Sequence, residues 1–142
     1  MKSVNRVMIE SAVKMARDVK AGIVLLCADV KREFMELPED IKKSIHFILV
    51  TQENENLPEM LAKYVRKLDV PNVNLTRMGK IKIAIAKGIV SGLLKRNDKI
   101  ICLSGVPKFG YADSIFFIDV GKEFEILTYD FISDIVEAVE PE

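Results

Sequence analysis

Three short runs constrain the fold most: Ile23-Val24-Leu25-Leu26-Cys27, His46-Phe47-Ile48-Leu49-Val50 and Lys99-Ile100-Ile101-Cys102-Leu103. They are apolar without alternating with polar residues. A strand solvated on one face alternates, whereas a strand covered on both faces does not need to. Segments of helical periodicity separate the runs, so the pattern predicts an α/β fold with a mainly parallel sheet between layers of helices.

Val4, Val7, Met8, Ser11, Met15 and Val19 recur at helical spacing, which predicts an amphipathic helix over 3–20 that stops at Ala21-Gly22. Residues 31–44 are charged and ambiguous, although Pro38-Glu39-Asp40 suits the first turn of a short helix. Leu57, Met60, Leu61, Tyr64 and Leu68 predict a helix over 57–68, followed by a third, short strand over 70–75. Thr76 then precedes a long helix over 79–95 whose apolar residues cover more than half its circumference. Such a helix is buried on more than one side or packs against a second subunit. Asn97-Asp98 forms a turn, residues 104–112 a glycine-punctuated loop, and 114–120 a fifth strand. A short sixth strand is expected at 124–127 and a closing helix at 131–139. No linker or repeat interrupts the pattern, so residues 1–142 are expected to form one domain.

The chain has 142 residues, enough for one well-buried core without a disulfide or metal. Its 21 basic and 21 acidic residues balance, which argues against nucleic acid or an anionic membrane as partner. No apolar run approaches the ~18 residues of a membrane span. No secretory signal is visible either, so a cytoplasmic location is expected. Cys27 and Cys102 each sit inside an apolar run and read as small hydrophobes. One histidine, His46, and two dispersed cysteines cannot assemble a standard zinc site, and no metal or cofactor is expected. No nucleophile-elbow, Walker or dinucleotide-binding motif occurs.

In open parallel sheets, ligands bind beyond the carboxyl ends of the strands. Four segments occupy such positions: Ala28-Asp29, Thr51-Gln52, Thr76 through Lys80, and the loop after the strand at 99–103. Thr76 is a plausible N-cap, Arg77 and Lys80 are cations, and the amide of Gly79 belongs to the helix's first turn, where anions are favoured. In the last loop, Ser104, Gly105, Lys108 and Gly110 offer close backbone approach and one charge. The competing reading is a capped helix with solvated charges and an ordinary turn.

The stretch from Lys87 to Val120, with Gly92-Leu93-Leu94-Lys95-Arg96-Asn97-Asp98, a buried strand, a glycine-containing loop and a last strand, resembles the C-terminal domain of pyruvate kinase. That resemblance implies a three-layer α/β/α sandwich around a five-stranded, mostly parallel sheet whose last strand is antiparallel. Leu75-Thr76-Arg77-Met78-Gly79-Lys80-Ile81-Lys82, Cys102-Leu103-Ser104-Gly105-Val106-Pro107 and the segment from Asp119 to Leu127 more closely resemble the N-terminal domain of archaeal diadenylate cyclases. The Asp-Gly-Ala and Arg-His-Arg motifs of the cyclase domain are missing, so this chain alone is not expected to cyclise nucleotides. Two departures bear on the ligand. Cys27-Ala28-Asp29-Val30 replaces the Ser/Thr-rich loop of pyruvate kinases that respond to a sugar bisphosphate, and an aspartate there repels phosphate. In the later loop, where those relatives have Gly-x-Gly-x-Thr-Asn, only Gly110 and Lys108 transfer.

The resulting expectation is a non-catalytic regulatory or binding module for an anionic metabolite, associated with a cyclase-type partner domain. The alternatives are a structural module that assembles homo-oligomers through its first helix or its long apolar one, and a small enzyme acting on a phosphorylated metabolite.

Overall fold

The computed structural model describes residues 1–71, 73, 75–123, 125 and 126. Its centre is the strand β1 (Ile23–Cys27), which pairs in parallel with β2 (His46–Gln52) on one side and with β4 (Lys99–Val106) on the other. Strand β3 (Val65–Val70) extends the sheet beside β2, and β5 (Tyr111–Asp119) closes the far edge antiparallel to β4. The order is β3-β2-β1-β4-β5. The mixed five-stranded sheet is therefore the one expected.

Because β1 is covered on both faces, its side chains divide between two cores. Val24 and Leu26 pack with Phe47, Leu49, Ile101 and Leu103 beneath α1 (Val4–Asp18) and the short helices α2 (Lys31–Met35) and α4 (Glu59–Ala62). Leu25 and Cys27 join Ile48, Val50, Ile100 and Cys102 beneath α5 (Arg77–Ser91), whose Ile81, Ala84 and Ile85 face them. A further short helix, α3 (Glu39–Lys42), follows Pro38, where proline and two acids suggest a helix start.

The pattern misplaces one strand. No helix spans 57–68: α4 is four residues long, and β3 begins at Val65 rather than at Val70. Leu61, Val65 and Leu68 mimic a helical stripe. The pairing of Phe47 with Val65 through Gln52 with Val70 overrides that local pattern, placing Val65 and Leu68 in opposite cores. Of the strand expected over 70–75 only Val70 belongs to the sheet, as the end of β3; Pro71, Val73 and Leu75 lie in no strand, and positions 72 and 74 are outside the described residues. Strand β4 runs three residues past its apolar core, and β5 starts at Tyr111, so the expected loop 104–112 shrinks to the 3-10 turn Pro107–Phe109 and Gly110. Residues 120–123, 125 and 126 are helical, so at 125 and 126 a helix stands where the sixth strand over 124–127 is expected; positions 124 and 127 and the expected helix 131–139 lie outside the described residues.

Helix α1 buries a face offset from the expected stripe, of which Met8 packs partly against the core. Asn5, Ile9, Ala12, Val13 and Ala16 face the sheet, whereas Val4, Val7, Met15 and Val19 are 58%, 47%, 39% and 44% exposed. The small Ala12 and Ala16 let the helix lie close to β4, leaving the bulkier stripe outward. Asn5 ties this layer together. Its Nδ2 donates to Glu33 Oε1 of α2 at 3.0 Å, and its Oδ1 accepts from the Ala112 amide of β5 at 2.7 Å. Asn5 and Glu33 are both buried, so truncating Asn5 strands a carboxylate oxygen and an amide away from water. Asn5→Ala is expected to cost about 1–3 kcal/mol in denaturant unfolding. A cost near zero would show that water replaces both partners.

Candidate functional site

Residues 23–70 build the strands in the order β1, β2, β3, moving toward one edge, before the chain returns through α5 to place β4 on the other side of β1. The direction of winding reverses between β1 and β4, where the connections leaving the two strands diverge to opposite faces and open a crevice. Cys27 and Ser104, paired across this switch point, form part of its floor.

The cleft above them has a volume of about 310 Å³. Of the sequence candidates it brings together Thr76, Arg77, Lys80, Ser104 and Gly105. Arg77 and Ser104, distant in sequence, thus line one mouth. Val70, Pro71, Leu75 and Val106 supply an apolar wall. An adjoining cleft of about 180 Å³ is lined by Ala28, Asp29, Thr51 and Gln52, and it shares Gln52, Lys80 and Pro107 with the first. All four strand-end segments therefore converge. The wall residues escape sequence reasoning because 70–75 reads as a strand; once β3 ends at Val70, its exit loop falls at the crevice.

The individual side chains do more restricted work than their types suggest. Thr76 caps α5, its hydroxyl oxygen accepting from the Gly79 amide at 3.0 Å. That bond consumes the Gly79 amide, and Gly79 is not part of the cleft lining. Arg77 donates through Nη1 to Ser114 Oγ and through Nη2 to Asp113 Oδ2, both at 2.8 Å. Its charge is spent on fastening α5 to β5. Partial burial opposes ionisation of Asp113, but hydrogen bonds from Ser114 and Arg77, together with the Arg77 charge, outweigh it and hold the carboxyl below its ordinary value.

Gly105 serves the sheet. It sits at a register shift in the β4–β5 ladder, where a Cβ would meet the Tyr111 carbonyl oxygen at 2.5 Å, so no side chain fits. Lys108 and Gly110 lie on the hairpin turn, outside the cleft lining, and Gly110 has a φ of +76°, as the left-handed end of the 3-10 turn requires. They are turn residues in this geometry.

Two polar groups remain available. The Lys80 ammonium makes no ion pair or hydrogen bond among the described residues and lines both clefts. Ser104 is 1% exposed, lines the larger cleft, and its hydroxyl has no partner among the described residues. Cys27 and Cys102 are free and buried. The Cys102 thiol is held well above its ordinary value, first by its hydrogen bond with Cys27 and then by burial, and so is uncharged beneath Lys80. The pocket therefore offers one ammonium to balance an anionic charge and one hydroxyl to hydrogen-bond it, beside an apolar wall.

Two outcomes check this arrangement. Thr76→Ala is expected to lower stability by about 0.5–2 kcal/mol in chemical denaturation, the usual cost of losing an N-cap. Arg77→Ala is expected to lower Tm at neutral pH. Because Asp113 is more acidic folded than unfolded, its stabilising contribution is present above the ordinary carboxylate range and lost as pH falls through the folded value. The Tm gap between wild type and Arg77→Ala should accordingly narrow in acid; a gap independent of pH would contradict the ion pair.

Among the described residues, no helix is long and apolar enough to cross a membrane. A search of curated proteins returns no match. The fold is similar to a pyruvate kinase from Cryptosporidium parvum, with a TM-score of 0.59 and 17% identity over 84% of this chain. The match takes in 23% of that enzyme's length, so this chain spans about a quarter of it and the likeness is one of fold. A family model described as "Probable sensor domain DacZ_P" matches residues 5–128. With the three-layer architecture and the switch-point cleft in place, the chain belongs to the DacZ_P sensor-domain family, which bears out the resemblance read from its strand-end segments.

Proposed function

We propose that this chain is a non-catalytic, cytoplasmic sensor module of one domain, residues 1–142, which binds a small metabolite carrying a single anionic group in the crevice between β1 and β4 and reports its presence to a cyclase-type partner domain. The observation that carries this reading is the juxtaposition, in one cleft, of the Lys80 ammonium and the Ser104 hydroxyl, neither of which has a side-chain partner among the described residues. A ligand that pairs with both groups in the folded chain stabilises it by mass action. The apolar wall favours a ligand with a hydrocarbon portion. Asp29 at the adjoining cleft and the engagement of Arg77 by Asp113 disfavour a bisphosphate, because one free cation faces more than one negative charge.

Thermal-shift measurements with inorganic phosphate, small phosphomonoesters and small carboxylic acids test the site. At least one is expected to raise Tm, Lys80→Ala is expected to abolish the shift, and Arg77→Ala is expected to retain it on a lower baseline. A shift that survives Lys80→Ala places the ligand elsewhere.

The outward stripe of Val4, Val7, Met15 and Val19 on α1 favours a second, compatible reading, in which that helix packs against another copy of the chain. Light scattering is expected to give a dimer that Val7→Glu with Met15→Glu returns to monomer. A wild-type monomer would remove this reading.

A further inference from the structure

The opposite end of the sheet carries a second concave site with different chemistry. Where β2 and β3 begin, α3, α4 and the two strand starts enclose a cleft of about 450 Å³, larger than the switch-point crevice. Four formal cations line it, Lys42, Lys43, Lys63 and Arg66, together with His46, against a single carboxylate, Glu39. For a chain whose total charge is zero, this is a strong local excess.

The single carboxylate is already engaged. Tyr64 donates its hydroxyl to Glu39, and that hydrogen bond is the first cause holding the carboxyl below its ordinary value. Lys42 and Lys43 reach Glu39 only at 3.7 and 3.9 Å. Lys42, 9% exposed, also donates to the Met35 carbonyl at 3.3 Å and stands 4.7 Å from the Tyr64 ring centre. Lys63 lies 6.0 Å from the same ring, and among the described residues it has no ion pair, nor do the side chains of Arg66 and His46 have a hydrogen bond or ion pair. Glu39 and Tyr64 thus pre-position one buried lysine, Lys43 shares the same carboxylate, and Lys63 and Arg66 line the cleft without an ion pair among the described residues, so four cations share one carboxylate. A second cleft of about 380 Å³ adjoins, sharing Lys43 and His46 and adding Arg17 and Lys20 with no carboxylate in its lining.

We infer that this end of the molecule binds an oligophosphate group, two or more linked phosphates borne by a small molecule. Uncompensated like charges on a concave wall repel one another and raise the local concentration of multivalent anions. Lysine ammoniums act as point-charge phosphate ligands, and Arg66 adds a bidentate donor. The cleft volume lies in the range that encloses small molecules, whereas an isolated monoanion would leave most of these cations unpaired. The single free cation of the switch-point crevice suits the reverse. The two sites therefore separate by ligand charge, and this inference does not rest on the first.

Isothermal titration of the whole chain with tripolyphosphate tests it, with inorganic monophosphate as comparison. Saturable binding that weakens with added salt and exceeds monophosphate affinity about tenfold or more is expected. Lys63→Ala with Arg66→Ala, both exposed positions, should weaken it about tenfold or more. Lys80→Ala should leave it within about twofold, which separates this site from the crevice between β1 and β4. Absence of saturable binding at low salt would overturn the inference, as would affinity unmoved by the Lys63/Arg66 pair. Tighter binding of a polyglutamate peptide or a single-stranded oligonucleotide than of tripolyphosphate would also overturn it, assigning the surface to a macromolecule.

Discussion

The structure depends on the position of β1 between β2 and β4. A strand hydrogen-bonded on both edges and covered on both faces must be apolar throughout, and Ile23-Val24-Leu25-Leu26-Cys27 meets that demand. Its place in the sheet also fixes where the chain reverses its winding. With β2 and β3 to one side and β4 to the other, the connections part above Cys27 and Ser104, and the crevice follows from topology before any side chain is chosen. Side chains then decide only what enters it.

That decision turns on which charges are already spent. Arg77 would dominate an anion site if it were free, but Asp113 and Ser114 hold it, and its role becomes mechanical: it links the start of α5 to the edge strand β5. Asn5 does the equivalent on the other face, joining α1 to α2 and to the Ala112 amide. Two polar clasps thus fasten the layers of helices to β5, whose outer edge has no strand partner among the described residues. Lys80 is left as the uncommitted cation of the crevice, and the basic groups near Tyr64 as those of the opposite end. A chain with no net charge in this way gathers basic side chains in two separate clefts, more of them in the one near Tyr64.

The architecture was legible in the sequence because buried parallel strands carry their own signature. β1, the apolar centre of β4 and the capped start of α5 at Thr76 are readable locally. β3 is not. As an edge strand with exposed Arg66 and Lys67 it has no continuous apolar run, and its partners lie in β2, at least eighteen residues away. The switch-point cleft could be anticipated from the rule about strand ends, so Thr76, Arg77, Lys80, Ser104 and Gly105 come together as expected. The pairing of Arg77 with Asp113 could not, since nothing local marks two residues on different elements as neighbours. Lys108 and Gly110 have the composition of a binding loop, but a hairpin turn uses the same residue types. The basic cleft lay hidden for a similar reason: Lys42, Lys43, Lys63 and Arg66 look like ordinary solvated charges until α3, α4 and β3 fold them around one hollow.

The most direct measurement maps where a small anion touches the chain. Backbone amide shifts followed by NMR during titration with inorganic phosphate or a small carboxylic acid should move first at Gln52, Lys80, Ser104 and Gly105, the groups around the crevice between β1 and β4. Largest shifts at Tyr64, Arg66 and His46, with the crevice amides unmoved, would contradict the placement of the sensor site.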